Sequence, residues 1–141
     1  MKRLIVALAL AVILPATARA TDVTAPGRIT DLLVACGKTT AGLSWTAPGD
    51  DDYTGTAAEY DVRYPTSPID SLNFSSATQV TMTAPKPAGE AECLSISGLS
   101  SCTTYYFAVK TADEVPNWSK ISNLPSCTTR CTLPNTEVYC E

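Results

Sequence analysis

Short runs in which apolar and polar residues alternate recur along the chain, and these runs constrain its fold more than any other feature. In the clearest one, Tyr60, Val62 and Tyr64 alternate with polar residues. A period of two places one face of a strand in a core and the other in water. Seven such runs lie at residues 29–36, 41–45, 60–64, 73–82, 94–99, 105–109 and 121–128. Because turn-forming segments separate them, we predict an all-β, seven-stranded antiparallel β-sandwich.

The first twenty residues are typical of a secretory signal peptide. Lys2 and Arg3 precede an apolar run at residues 4–14, and "ARA" at residues 18–20 matches a cleavage site. The apolar run is too short to span a bilayer, and no later stretch is apolar enough to do so. We therefore predict no transmembrane segment after signal removal. The mature chain would be secreted or extracellular, with a periplasmic or cell-surface location as the alternative.

The net charge of the mature chain excludes some classes of binding partner. The whole chain has 10 Lys and Arg against 14 Asp and Glu, and the signal peptide removes Lys2, Arg3 and Arg19. Seven basic residues then remain against 14 acidic ones, a net charge of −7. Nucleic acids and anionic membranes both demand a basic surface, so we predict no binding to either.

The sequence offers no assembled catalytic motif. It contains no histidine, so a serine or cysteine nucleophile would lack the usual base. It also lacks a G-x-S-x-G elbow and a phosphate-binding glycine loop. Two carboxylates suffice for a glycosidase, but a sandwich this small has no deep cleft to shield them. We predict that the protein is not an enzyme, with a small hydrolase as the distant alternative.

All six cysteines fall in the mature chain: Cys36, Cys93, Cys102, Cys127, Cys131 and Cys140. An even number in an exported chain predicts disulfides. A zinc site is disfavoured because there is no histidine and no C-x-x-C pair. Six cysteines allow 15 connectivities, and the spacing alone does not choose among them.

Several motifs, in the right order, resemble the fibronectin type III family. "LSW" supplies Trp45 at the family's core tryptophan, and "YDVRY" contains Tyr60 on its third strand. In "GLSSCTTYYF", Leu99 matches the family's leucine and Tyr105 its tyrosine corner. The resemblance covers residues 25–129 and implies an immunoglobulin-like sandwich, followed by a Cys-containing tail at residues 130–141. The loops look most like those of bacterial secreted members.

The family's strand directions also imply a disulfide pairing. They place Cys36 and Cys102 near the same end of the sandwich, which predicts a bridge between them, with Cys127 as the competitor. Cys131 and Cys140 would close a small loop in the tail. Cys93 begins its strand at the other end and has no predicted partner.

An acidic loop suggests a cation site. Three consecutive carboxylates, Asp50, Asp51 and Asp52, follow a Pro-Gly pair, and the family's topology brings Asp113 and Glu114 to the same end. Calcium takes carboxylate and amide oxygens as ligands. The alternative is turn chemistry, because an Asp after Pro-Gly hydrogen-bonds the backbone and stays solvated. Calcium is therefore an open possibility, and we expect no other cofactor.

Aromatic residues in the same loops suggest a binding surface. Tyr53 follows the acidic residues, and Asn117 and Trp118 lie in the partner loop. Loop aromatics at one end of a sandwich can bind a partner, although Trp118 would alternatively fold over the edge of the core. Asn73 and Asn117 also open N-x-S triplets, which matter only in a host that glycosylates them.

The function that these features favour is non-catalytic. The resemblance implies a binding or spacer module that acts through its surface on an extracellular protein or glycan. A structural subunit of an extracellular surface assembly is the alternative.

Overall fold

The computed structural model describes residues 22–131, so the predicted signal peptide and most of the predicted tail lie outside it. These residues form strands β1 (Leu33–Cys36), β2 (Thr40–Thr46), β3 (Glu59–Tyr64), β4 (Thr78–Val80), β5 (Ala91–Ser97), β6 (Thr104–Tyr106), β7 (Ala108–Ala112) and β8 (Ser126–Thr128), with a short 3-10 helix at Phe74–Ser76. One sheet has the order β1-β2-β5, the other has the order β4-β3-β7, and β6 pairs with β8. All five pairings between these strands are antiparallel.

The strand count agrees with the predicted seven once one break is recognised. Only Phe107 separates β6 from β7, and its N–H donates to the carbonyl of Pro125 at 2.9 Å, which extends the β6–β8 register by one residue. Pro125 has no N–H to donate in return, so the β6–β8 ladder ends there. β6 and β7 are therefore two parts of one strand. The chain is an all-β antiparallel sandwich, as predicted.

The core lies between the two sheets and follows the alternation of the sequence. In β2 the residues alternate between exposed and buried, with Leu43 and Trp45 inside. The Trp45 ring meets the Tyr60 ring edge to face, with centroids 5.2 Å apart. The predicted tyrosine corner is confirmed, because the Tyr105 hydroxyl accepts the Ser100 N–H at 3.0 Å. Leu99 is buried beside it.

Two predicted strands are shorter than expected because side chains replace the ladder bonds. β1 begins at Leu33 and not at residue 29, since the Asn123 side chain bonds both the N–H and the carbonyl of Leu32. β8 begins at Ser126 and not at residue 121, since the Ser122 hydroxyl takes the N–H of Val109. Side-chain bonds of this kind compete with sheet pairing.

The region predicted as a strand at residues 73–82 forms a strand only at Thr78–Val80. The Asp70 carboxylate accepts the N–H groups of Leu72 and Asn73, and this local bonding leads into the 3-10 helix. Only Thr78–Val80 then pairs with β3. Asx turns of this type are a known alternative to extended backbone.

The disulfides correct the predicted pairing. Cys36 is joined to Cys127, with their Cα atoms 5.8 Å apart, so the Cys36–Cys102 prediction is wrong. The competitor wins because Cys127 in β8 and Cys36 in β1 pack against the same core.

Cys102 is instead joined to Cys131, with their Cα atoms 4.4 Å apart. The chain after β8 runs beside the β5–β6 turn, where Thr129 donates to the carbonyl of Thr103 at 3.0 Å. The predicted loop between Cys131 and Cys140 is therefore wrong as well, and Cys140 lies outside the described residues.

Candidate functional site

The loop between β2 and β3 forms a tight turn that directs Asp50 inward. Gly49 has a φ of 100°, and a Cβ there would lie 2.2 Å from the carbonyl oxygen of Thr54, so the turn requires glycine. The N–H of Asp50 donates to that same carbonyl. Asp51 and Asp52 project from the turn and are exposed.

The loop after β7 is organised by one buried carboxylate. Asp113 accepts the N–H groups of Val115 at 3.0 Å and Asn117 at 2.7 Å, and the Asn117 amide at 2.6 Å. Burial raises the pKa of Asp113, but the hydrogen bonds from Asn117 and Val115 outweigh it and the net pKa is lowered. The Asp113 carboxylate therefore holds the loop together.

Three carboxylates converge between these two loops and the N-terminal segment. Asp22, Asp50 and Glu114 each offer an oxygen, and these oxygens lie within 4.8 Å of one another. We call this set the acidic cluster. It includes two of the five residues predicted as calcium ligands, whereas Asp51, Asp52 and Asp113 fall outside it.

The acidic cluster is electrostatically unfavourable as it stands. The pKa of Asp50 is raised by burial and then by the negative charges of Glu114, Asp51, Asp113 and Asp22. Its Oδ1 atom is buried and has no hydrogen-bond partner among the described residues. Carboxylate oxygens at this spacing are suited to a hard cation such as Ca²⁺.

Asp22 is the member of the acidic cluster that the sequence did not reveal. It lies before the first strand, where no motif marks it. It reaches the cluster because its carbonyl accepts the Asn117 amide at 3.2 Å, and because the Ala25 carbonyl accepts the N–H of Asp52 at 3.2 Å. These contacts depend on the tertiary packing of distant loops.

An open groove lies beside the acidic cluster, between the N-terminal segment and the two loops. We call it the Trp118 groove. Its volume is about 490 Å³, and its lining includes Val23, Pro26, Arg28, Tyr53, Trp118 and Lys120. Trp118 is 42% exposed and Tyr53 is 63% exposed. Both aromatic side chains predicted to bind a partner therefore remain accessible at the surface.

The Tyr53 side chain and the Trp118 backbone are both held by neighbouring segments. The Tyr53 hydroxyl donates to the carbonyl of Arg28 at 3.2 Å, and a Cβ on Gly27 would lie 2.6 Å from the Tyr53 ring. Trp118 forms a β-bridge with Ala112 at the end of β7. Asn117, the third predicted binding residue, uses its amide within the loops and does not line the groove.

Both N-x-S triplets have their asparagine amides in use. The Asn73 amide donates to the carbonyl of Pro68 at 3.0 Å. The Asn117 amide donates to Asp22 and Asp113. A glycan leaves one N–H on the amide nitrogen, so it would remove at least one of the two Asn117 contacts, whereas Asn73 would keep a donor for its single contact.

Comparison with solved structures identifies the fold. Chicken CNTN1 FN1–FN3 domains match with a TM-score of 0.57 and 17% identity, covering 76% of this chain and 33% of that chain. The sixth fibronectin type III domain of human fibronectin type III domain containing protein 3 matches with a TM-score of 0.50 and 21% identity, covering 76% and 88%. The chain therefore has the fibronectin type III fold.

Curated proteins match at higher identity. Human calcium-activated chloride channel regulator 1 is 37% identical over 111 residues, which is 73% of this chain and 12% of that protein. The mouse protein of the same name is 34% identical over 118 residues, 78% of this chain and 13% of that protein. The chain thus spans about one-eighth of these relatives. No family model matches.

These relatives are animal proteins, so the expected likeness to bacterial secreted members finds no support in them. Within residues 22–131 no helix has the length and apolar character needed to cross a membrane.

Proposed function

We propose that the chain is an exported, non-catalytic module that binds an extracellular protein or glycan through the Trp118 groove. The observation that carries this proposal is the pair of accessible aromatic side chains, Trp118 and Tyr53, which line the same groove. Tryptophan and tyrosine are enriched among the residues that dominate binding energy. The Tyr53 side chain, which is hydrogen-bonded before binding, loses little entropy on contact.

Four further observations support a non-catalytic role outside the cell. The sequence has no histidine, and its start is typical of a signal peptide. Two disulfides join described cysteines. The curated relatives are named as regulators of a chloride channel, and that name describes regulation rather than catalysis.

Binding of the labelled mature protein to the exterior of cells that produce it tests this proposal. Trp118→Ala should weaken binding by about tenfold or more, as expected for a residue that dominates a contact. Leu72→Ala is the matched control, because Leu72 is 93% exposed and does not line the groove. Equal binding of wild type and Trp118→Ala, or no binding by wild type, would contradict the proposal.

We also propose that the acidic cluster holds calcium. The specific observation is the buried, unpartnered Oδ1 of Asp50 beside the Asp22 and Glu114 carboxylates. A cation there would offset the mutual repulsion that raises the pKa of Asp50. Water and backbone carbonyls would complete the six to eight oxygens that calcium takes.

Thermal unfolding with calcium chloride and with a chelator tests the calcium site. A ligand that binds only the folded state raises its stability by mass action. We expect calcium to raise Tm for wild type and for Glu90→Gln, an exposed acid outside the cluster, but not for Asp50→Asn. An unchanged wild-type Tm across the titration would rule the site out.

A further inference from the structure

Within its strands, the outer face of the β1-β2-β5 sheet carries no charged side chain, and Asp31 lies just before β1 at the Thr46 end. The exposed residues of this face are Leu33, Ala35, Thr40, Gly42, Ser44, Thr46, Ala91, Cys93, Ser95 and Ser97. The register aligns Leu33, Ser44 and Cys93 in one row across the three strands. Solvated sheet faces usually carry charged or long polar side chains, so this face is suited to being covered.

The C-terminal tail begins at the edge of that sheet. The N–H of Arg130 donates to the carbonyl of Gly37 at 2.8 Å, which places the chain beside the β1–β2 turn. The Cys102–Cys131 disulfide then fixes the next residue. The end of β5 lies at the same place, since the N–H of Leu99 donates to the carbonyl of Thr39 at 3.0 Å. Ten residues, 132–141, follow this fixed point.

The tail is long enough to reach Cys93. The pair Thr40↔Ser97 lies at the end of the sheet where the tail begins, and the pair Ser44↔Cys93 lies four residues along it. That is about 13 Å along the strands, plus about 10 Å across two strand spacings. The nine residues from Cys131 to Cys140 span up to about 30 Å when extended.

The pairing of the other cysteines gives an independent reason to connect the tail to Cys93. Four of the six cysteines are joined, and Cys93 is exposed with no disulfide partner among residues 22–131. Cys140 is the one remaining cysteine of the sequence.

We propose that a third disulfide, Cys93–Cys140, binds residues 132–141 across the outer face of the β1-β2-β5 sheet. The bond forms by thiol–disulfide exchange with an oxidising disulfide in the export compartment. The Cys93 and Cys140 sulfurs join and lose two electrons and two protons. The donor's S–S bond breaks and accepts them, leaving as two thiols.

Peptide mapping of the full exported protein under non-reducing conditions tests this disulfide. Cleavage after Leu99 separates Cys93 from Cys102, and cleavage after Glu137 separates Cys131 from Cys140. We expect the Cys93 and Cys140 peptides to be linked in a monomer. A Cys93–Cys93 link between two copies, or an alkylated free Cys93, would overturn the proposal.

Thiol titration of the denatured protein gives a second test, and its result does not depend on whether a variant is less stable than wild type. Wild type should release no thiol, and Cys140→Ser and Cys93→Ser should each release one per chain. The remaining pairs, Cys36–Cys127 and Cys102–Cys131, leave the sandwich joined in both variants. One or two free thiols in wild type would contradict the third disulfide.

Discussion

The carboxylates of Asp113 and Asp50 lie in neighbouring loops, and their pKa values are shifted in opposite directions. Asp113 is buried and receives three hydrogen bonds, and its pKa is lowered despite the cost of burial. Asp50 receives no hydrogen bond at its buried Oδ1, and burial and four negative neighbours raise its pKa. The Asp113 carboxylate therefore stabilises its loop, whereas the Asp50 carboxylate is repelled by its neighbours, and a bound cation would reduce that repulsion.

The raised pKa of Asp50 predicts a pH effect. A carboxyl whose pKa is higher in the folded chain than in the unfolded chain destabilises the fold when ionised. The destabilisation by ionised Asp50 is fully present at neutral pH. It disappears as the pH falls through the pKa of the folded chain, which lies above 3.8. Asp50→Asn should therefore raise the free energy of unfolding at pH 7 in chelator. Urea unfolding at pH 7 and pH 4 measures this, and a less stable variant at pH 7 would contradict it.

The lowered pKa of Asp113 predicts the opposite dependence of stability on pH. Its contribution is present above the unfolded value of 3.8 and is lost as the pH falls through the lower folded pKa. Asp113→Ala should lower Tm at pH 7 and make the loop at residues 114–118 easier to cleave. Glu90→Ala, an exposed acid outside both this loop and the acidic cluster, is the control. Limited proteolysis that cuts both variants at the same rate would count against this role.

At the residue level, the sequence predicted part of the site. The family resemblance was enough to bring the loops of Asp50 and Glu114 together, and the exposure of Tyr53 follows from its position in a turn. Asp22 and the buried role of Asp113 depend on contacts across more than one loop, and no spacing in the sequence encodes those contacts.

Among the elements, the turn between β5 and β6 allows a quantitative test of the tyrosine corner. The Tyr105 hydroxyl holds the Ser100 N–H at 3.0 Å. Tyr105→Phe removes this bond and should cost about 1 kcal/mol of unfolding free energy. Tyr106→Phe is the matched control, because its hydroxyl has no hydrogen bond to residues 22–131. Equal losses by urea unfolding would show that the corner contact adds nothing.

The two disulfides should differ in their contribution. Cys36–Cys127 joins residues 91 apart in sequence, and Cys102–Cys131 joins residues 29 apart. In the chain-entropy model, the longer loop contributes about 1 kcal/mol more. Ser substitution of each pair, followed by denaturant unfolding, compares them. A larger loss from the Cys102–Cys131 pair would contradict the model.

The elements were more predictable than their connections. The alternation at Tyr60 and Val62 was sufficient to place β3, because period-two burial is a local property. The ends of β1 and β8 were not predictable, because Asn123 and Ser122 replace ladder bonds only once the strands have packed. The disulfides depend on the spatial neighbours of Cys36, which include Cys127 from the far end of the domain.

Across the whole molecule, the two disulfides and the proposed binding sites lie at opposite ends. β2 begins at Thr40, next to the turn that follows Cys36, and ends at Thr46, which leads into the acidic turn. Both disulfides therefore lie at one end, and the Trp118 groove and acidic cluster lie at the other. Loops on a rigid scaffold are where binding residues usually occur.

Hydroxyl-radical footprinting of the module, free and bound to the exterior of the cells that produce it, tests the binding proposal most directly. Trp118 and Tyr53 are accessible in the free chain, while Trp45 is buried and serves as an internal reference. We predict that binding lowers the oxidation rate of Trp118 and Tyr53 several-fold and leaves Leu72 unchanged. Unchanged oxidation of Trp118 in the bound module would contradict the proposal that this groove is the contact surface.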